Sequence, residues 1–340
     1  MVNEYRGTGV SEASLKLLFE GCTRLEDIYL YCSEHAVIPP SIDRLTLLKH
    51  LHLIANGATC LPDTLTSLQS LRSLVLETSN LSVLPPDFGN LVFLTSLSFL
   101  DCTSLASLPE YFGELANLNL LSLMCCSMLQ LPASLTRLSS ITVLKIQQCN
   151  FRLPSPVDFP RLRALETLIL ESVMGLRELI EALEHLLRLK TLVIKCSDIM
   201  SLPESLFRLP SLTNLTLDIR QLPVLPDSIV LLITIHELSF DDLWNLPSLP
   251  EEFGQPNALE KLSLRSLRQL TSLPESFGQL NVLRELKIMD CEKLQQLPDS
   301  LSQLSSLEYL EIDKCPDLTV LPDEMGNGMQ WLRHLHLGRC

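Results

Sequence analysis

The amino-acid sequence predicts an α/β solenoid, a curved horseshoe with a parallel sheet on its concave side and 3-10 turns or short α-helices on its convex side. Three observations predict it. A Leu-x-x-Leu-x-Leu segment restarts at Leu25, Leu48, Leu71, Leu94, Leu118, Ile141, Leu165, Leu189, Leu212, Ile235, Leu259, Leu283, Leu307 and Leu332, roughly every 23 to 25 residues. A Leu-Pro pair follows in most copies, its proline at Pro62, Pro85, Pro109, Pro132, Pro203, Pro226, Pro250, Pro274, Pro298 and Pro322. The repeat runs through nearly all of the 340 residues, so their number describes one extended array and not two globular domains.

The expected organisation is a capping helix region over 1–24, then leucine-rich repeats over 25–340, about thirteen full units and a final strand, irregular at 150–190. In the first region, Ser11-Glu-Ala-Ser-Leu-Lys-Leu-Leu-Phe-Glu20 reads as an amphipathic helix that covers the open core of the first repeat. Ser11 is the candidate N-cap and Ser14 its rival. In each repeat, Leu-x-x-Leu-x-Leu alternates apolar and polar positions, the period of a strand with one buried face.

Five cysteines, Cys102, Cys126, Cys149, Cys291 and Cys315, share one slot eight residues after the first leucine of their copies, and Asn56 stands there in another. A repeated slot implies a repeated structural role, so these thiols are read as reduced and structural, each offering a small polar group to neighbouring backbone. The proline that follows fixes φ and removes a donor, which stops the strand from extending. An acid, a small residue and Leu or Phe then make a 3-10 or α turn, with the acid at its N-terminal end. In Phe88-Gly89, Phe112-Gly113, Phe253-Gly254 and Phe277-Gly278 the aromatic is core filler and the glycine the turn into the next strand.

Two copies break the pattern. The segment 151–160 packs Pro154, Pro156 and Pro160 into one outer loop, and the copy at Leu165 has no Leu-Pro but helical apolar spacing, which predicts an α-helix across 176–188. An internal boundary is expected at 150–190. The carboxyl end, Leu332-Arg-His-Leu-His-Leu337, is a strand without a cover, which points to a missing neighbouring domain, further repeats or a capping partner.

Lys and Arg total 26 against 40 Asp and Glu, a net charge of −14, which argues against nucleic acid and anionic membrane surfaces as partners. The longest apolar runs, such as Ile229 to Ile235, are far short of a membrane span, and no secretory signal follows Met1, so a cytoplasmic location is expected.

Motifs for chemistry are missing. No Gly-Lys dipeptide allows a P-loop, Gly7-Thr-Gly9 lacks a third glycine, His236-Glu237 is not followed by a second histidine at metalloprotease spacing, and no Gly-x-Ser-x-Gly occurs. No C-x-x-C suggests redox or zinc chemistry. His50-Leu-His52 and His334-Leu-His336 place two imidazoles on one strand face, too few for a metal without further ligands. The chain therefore reads as a non-enzyme that uses no cofactor and no metal.

What varies is the concave surface, where the third, fifth and seventh positions of each copy form three rows. Asp27, Tyr29, Tyr31, His50 and His52 open them; Val75, Leu100, Leu120, Met124, Val143, Ile169 and Val193 make an apolar middle. Lys145 and Lys195 lie in the same rows, and from Asn214 onward come Asp218, Glu237, Asp241, Lys261, Arg265, Glu285, Lys287, Glu311, Asp313 and Lys314. Neighbouring aliphatic side chains on adjoining strands suggest a protein-docking patch centred on Leu100, Leu120, Met124 and Val143.

The pattern Leu-x-x-Leu-x-Leu-x-x-Cys-x-x-Leu-x-x-Leu-Pro-x-x-Leu/Phe-Gly-x-Leu, as in Leu283 to Leu304, and phrases such as Cys102-Thr-Ser-Leu105 resemble the leucine-rich domains of plant intracellular nucleotide-binding immune (disease resistance) receptors. The resemblance spans 25–340. It implies an effector-sensing or autoinhibitory domain, detached here from the nucleotide switch of that family. Leu-Pro-x-x-Leu also occurs in intracellular Ras-group repeat scaffolds, which leaves a free-standing signalling scaffold as the alternative function.

Overall fold

Each Leu-x-x-Leu-x-Leu segment forms one strand of five or six residues whose leucines face inward and whose intervening residues face out. The computed structural model describes residues 10–33, 37–127, 131–149, 159–173, 176–197, 199–256 and 258–340. The chain divides into two compact units, Met1–Leu165 with Ser172–Gly175, and Glu166–Glu171 with Leu176–Cys340. The division falls inside the irregular 150–190 stretch. Most of the outer loop expected at 151–160, with Pro154 and Pro156, lies outside the described residues.

In the first unit the strands are β1 (Asp27–Tyr31), β2 (His50–Ile54), β3 (Ser73–Glu77), β4 (Ser96–Leu100), β5 (Leu120–Met124) and β6 (Val143–Gln147). Each pairs parallel with the next, and equivalent positions are in register: Leu51 beside Leu74, Leu97 beside Leu121. The second unit repeats the scheme with β7 (Thr167–Glu171), β8 (Thr191–Cys196), β9 (Asn214–Ile219), β10 (Glu237–Asp241), β11 (Lys261–Arg265), β12 (Glu285–Met289), β13 (Tyr309–Asp313) and β14 (His334–Gly338). Both units are leucine-rich repeat solenoids, with a parallel sheet on one side and mostly 3-10 turns on the other. Burying one leucine contributes about 1.5–3 kcal/mol, and the inward leucines recur in every copy.

Proline places the outer turn. Its carbonyl accepts the first turn bond, as in Leu65 N–H to Pro62 O at 3.0 Å and Phe112 N–H to Pro109 O at 3.1 Å, while its missing donor costs nothing at that position. The aromatics of successive turns stack, Phe88 on Phe112 at 6.2 Å and Phe253 on Phe277 at 5.5 Å.

The glycines after them do not serve the turn, as the sequence suggested. They lie inside it at Gly89, Gly113, Gly254 and Gly278, none in the left-handed region, and a β-carbon there would meet the next repeat's backbone, for example Ser134 O at 2.0 Å from Gly113. Glycine is needed because two backbones approach closely.

The cysteine slot also needs correction. In several copies the residue before it is left-handed (Asp101, Cys125, Gln148, Ser172, Asp242, Ser266, Asp290, Lys314 and Arg339, φ 51 to 55°), and in all of these but the last the next side chain turns into the core. Copies such as that at Leu48 lack this left-handed residue, so Ala55 and not Asn56 fills the buried slot. Asn56 is exposed and its Oδ1 accepts from Ser79 N–H at 3.3 Å. Lys314 is one of the left-handed residues. It pairs with Asp290 at 3.1 Å outside the three rows.

Helix α1 (Glu12–Gly21) is capped by Ser11, whose Oγ accepts from Ser14 N–H at 3.4 Å, and it buries Leu15 and Phe19. Helix α2 (Leu176–Ala182) is shorter than the predicted 176–188. It tightens to 3-10 over Leu183–His185, and Leu186 N–H bonds to Leu183 O at 2.9 Å, the exit used after the other turns. A short helix, α3 (Met325–Gly328), precedes β14, whose Leu335 and Leu337 are 54% and 46% exposed although their counterparts Leu310 and Ile312 are fully buried.

Candidate recognition surface

Register decides which outward residues meet. In the first unit, Leu100 lies beside Met124 and Leu120 beside Val143, on opposite sides of the short Ser98 and Ser122. Three of these aliphatics are half-buried and Met124 is 38% exposed. Lys145 follows Ser122 in the middle row, and Val75 follows His52 in the same row. At the amino end Tyr29 is 69% exposed and meets the His52 ring edge-on at 4.4 Å.

In the second unit Ile169 and Val193 stand side by side on β7 and β8.

In the second unit the middle row runs Val193, Thr216, Ser239, Ser263, Lys287 and Glu311, so three short hydroxyl side chains form a low floor between longer neighbours. The groove over them has a volume of about 340 Å³. One wall is internally neutralised. Glu237 accepts from Lys261 Nζ at 2.6 Å and Asn214 Nδ2 at 2.7 Å, which holds its carboxyl below the usual range, and Lys287 pairs with Glu285 while lying 5.2 Å from the Tyr309 ring.

The row across the floor, outside the lining of that groove, is different. Lys195 pairs with Glu171 at 3.2 Å and Asp313 with Arg339 at 2.7 Å, but between them Asp218 and Arg265 make no ion pair or hydrogen bond at contact distance among the described residues. Among the described residues Asp241 accepts only from Ser239 Oγ, at 3.2 Å. Burial, and then the Asp242 carboxylate, push the Asp218 carboxyl up. The floor of Thr216, Ser239 and Ser263 is the feature that sequence reasoning missed. Its signal was visible as small residues at the fifth position of three successive copies.

The slot cysteines bond back to the carbonyls that close their own strands. Cys126 Sγ donates to Met124 O at 3.5 Å, Cys149 Sγ to Gln147 O at 3.2 Å, and Cys315 Sγ to Asp313 O at 3.6 Å. Hydrogen bonding to Cys102 and Cys149, with burial, pushes the Cys126 thiol far up, which keeps it protonated. None of the eleven cysteines is in a disulfide. No group of three metal-ligating side chains occurs among the described residues, and none of their helices is long and apolar enough to cross a membrane.

No protein-family model matches the chain, and no curated protein does. Solved structures do. A leucine-rich repeat protein of Leptospira interrogans is 25% identical, with 95% of this chain and 93% of that one covered and a TM-score of 0.62. The Drosophila Toll–Spätzle complex aligns at 20% identity over 90% of this chain and 41% of that one, TM-score 0.67. The functional domain of InlJ from Listeria monocytogenes, which includes a cysteine ladder, aligns at 16% over 94% and 64%, TM-score 0.62.

Proposed function

We propose that this chain is a non-catalytic protein-recognition module that binds through the outward face of its sheet, and that the first unit docks its partner on Leu100, Leu120, Met124 and Val143. The observation that carries this reading is the register that sets four aliphatic side chains around Ser98 and Ser122 on a face that water otherwise reaches. Covering apolar area contributes about 25 cal/mol per Å², so such a cluster favours a partner with apolar side chains of its own. The likeness to Toll, a protein seen bound to Spätzle, supports a binding use of this fold.

In its finer form the module acts as the effector-sensing or autoinhibitory part of an immune receptor, as its repeat motif suggests, in the cytoplasm and without nucleic acid, membrane or cofactor. The test is proximity labelling in the native cell with the wild-type chain and with Leu120→Asp/Met124→Asp, after circular dichroism shows both folded. The reading expects partners that the variant loses. An unchanged set of labelled proteins overturns it.

A further inference from the structure

The groove of the second unit is a separate place from the first-unit cluster, and its chemistry differs. Its floor is made of side chains that can both donate and accept. Thr216 and Ser263 make no side-chain hydrogen bond among the described residues, and Ser239 turns to Asp241. A floor of hydroxyls suits a ligand whose own groups alternate donor and acceptor, as an extended main chain does.

The rows on either side of the floor fix which main chain. The row that lines the groove has its charges matched internally, with Glu237 between Lys261 and Asn214 and with Glu285 on Lys287. The row across the floor, outside the lining of the groove, holds Asp218 and Asp241 side by side on β9 and β10 and Arg265 next on β11, all without an ion-pair partner within contact distance among the described residues. Two carboxylates half-removed from water next to each other favour a cation, and the exposed Arg265 guanidinium favours an anion.

Spacing then sets the sequence of the ligand. Neighbouring parallel strands lie about 4.8 Å apart, so the midpoint of Asp218 and Asp241 is one and a half strands, or about 7 Å, from Arg265. In an extended peptide, side chains on one side recur every second residue, about 6.7 Å. The two distances match.

We infer that the groove floored by Thr216, Ser239 and Ser263 binds an extended peptide lying across the strands, with a basic and an acidic side chain two residues apart. The basic one meets Asp218 and Asp241, and the acidic one meets Arg265. This builds on the sheet face as a recognition surface, but it stands on residues of its own.

The test uses the full chain and an acetylated, amidated, fluorescently labelled peptide Gly-Ser-Lys-Ser-Glu-Ser-Gly, together with its reversed sequence, since the groove does not fix chain direction. A control carries Lys and Glu adjacent, and a second replaces Glu by Lys. Fluorescence anisotropy at low salt is expected to show one of the first two binding at least tenfold more tightly than the adjacent-charge control. Asp241→Asn is expected to weaken that binding about tenfold. Arg265→Glu is expected to lose it and to gain the Lys-Ser-Lys peptide, a reversal that misfolding does not produce. Leu120→Asp/Met124→Asp is expected to leave it unchanged, which separates failure here from failure of the first-unit reading. Equal affinity for the adjacent-charge control, no binding of either peptide up to millimolar concentration, or unchanged preference in Arg265→Glu overturns the inference.

Discussion

Replacing Gly113 by alanine tests the packing argument more directly than any core truncation. Gly113 lies in the 3-10 turn Glu110–Glu114, where a new β-carbon would sit 2.0 Å from Ser134 O and 2.8 Å from Ser134 C. The first distance is about 1.4 Å inside ordinary contact, and the obstacle is backbone, so the two repeats must separate. Overpacking of a well-packed site costs about 1–3 kcal/mol, while alanine recovers about 0.4–1 kcal/mol by stiffening the unfolded chain. The expected net loss is about 1–2 kcal/mol. Gly21 is the control, since a β-carbon there meets nothing within 4 Å and no left-handed φ penalises it. Gly21→Ala should gain about 0.4–1 kcal/mol from the unfolded-state effect alone. Guanidinium unfolding gives the difference from the midpoints if the slope stays constant, and hydrogen exchange places the loss in the first unit. A Gly113→Ala midpoint at or above that of the wild type refutes the claim that close backbone approach selects these glycines.

Three other outcomes follow from particular contacts. Asp218 has its pKa raised by burial and by Asp242, so the folded chain holds that proton more tightly than the unfolded one, and stability falls as pH rises from the ordinary carboxylate value through the raised one. Asp218→Asn should therefore stabilise the chain at pH 7 and have no such effect near pH 3, read from thermal midpoints at both. The Trp244 ring lies between Arg220 at 4.5 Å and Arg268 at 4.3 Å, two cation–π contacts of about 0.5–1 kcal/mol each, so Trp244→Ala should lose about 1–2 kcal/mol and Trp244→Phe clearly less. Equal losses would remove the cation–π account. In a native alkylation time course read by mass spectrometry, the exposed Cys22, Cys60 and Cys340 should react first and the half-buried Cys125 next, whereas Cys102, Cys126, Cys149, Cys291 and Cys315 should react only on unfolding. Early labelling of Cys126 would contradict its place in the core.

The strands were legible because Leu-x-x-Leu-x-Leu carries both the period of a strand and its direction, and a common structural role for Cys102 and Cys315 followed from a shared slot. Reading that slot by counting failed at Asn56, because copies differ by one left-handed residue after the strand. Backbone conformation at one position, as at Asp101 against Ala55, leaves little trace in residue type, although Asp tolerates it better than most. The glycines misled for a related reason: Gly113 signals conformational freedom in a sequence, whereas here it marks a neighbour's carbonyl. The groove of the second unit needed register. Thr216, Ser239 and Ser263 are unremarkable singly, and only side by side do they become a floor.

Where the charge sits matters more than its sum. Asp63, Glu110, Glu204, Asp227, Glu251, Glu275, Asp299 and Asp323 each follow a Leu-Pro pair, at the start of the outer turn, where an acid suits the unpaired N–H groups. These eight acids belong to the framework of the repeat and account for more than half of the net charge of −14. The overall negative charge therefore describes how the turns are built and says little about what the sheet face attracts. That face carries its own pattern: aliphatic around Ser122 in the first unit, and in the second two carboxylates and a guanidinium without ion-pair partners within contact distance among the described residues, beside a hydroxyl floor. A partner selected by bulk charge would be sensitive to neutralising any of the eight turn acids, whereas one selected by the sheet face would ignore Glu275→Gln and respond to Asp241→Asn. The lysine- and glutamate-bearing peptide described above, titrated against both variants, decides between the two.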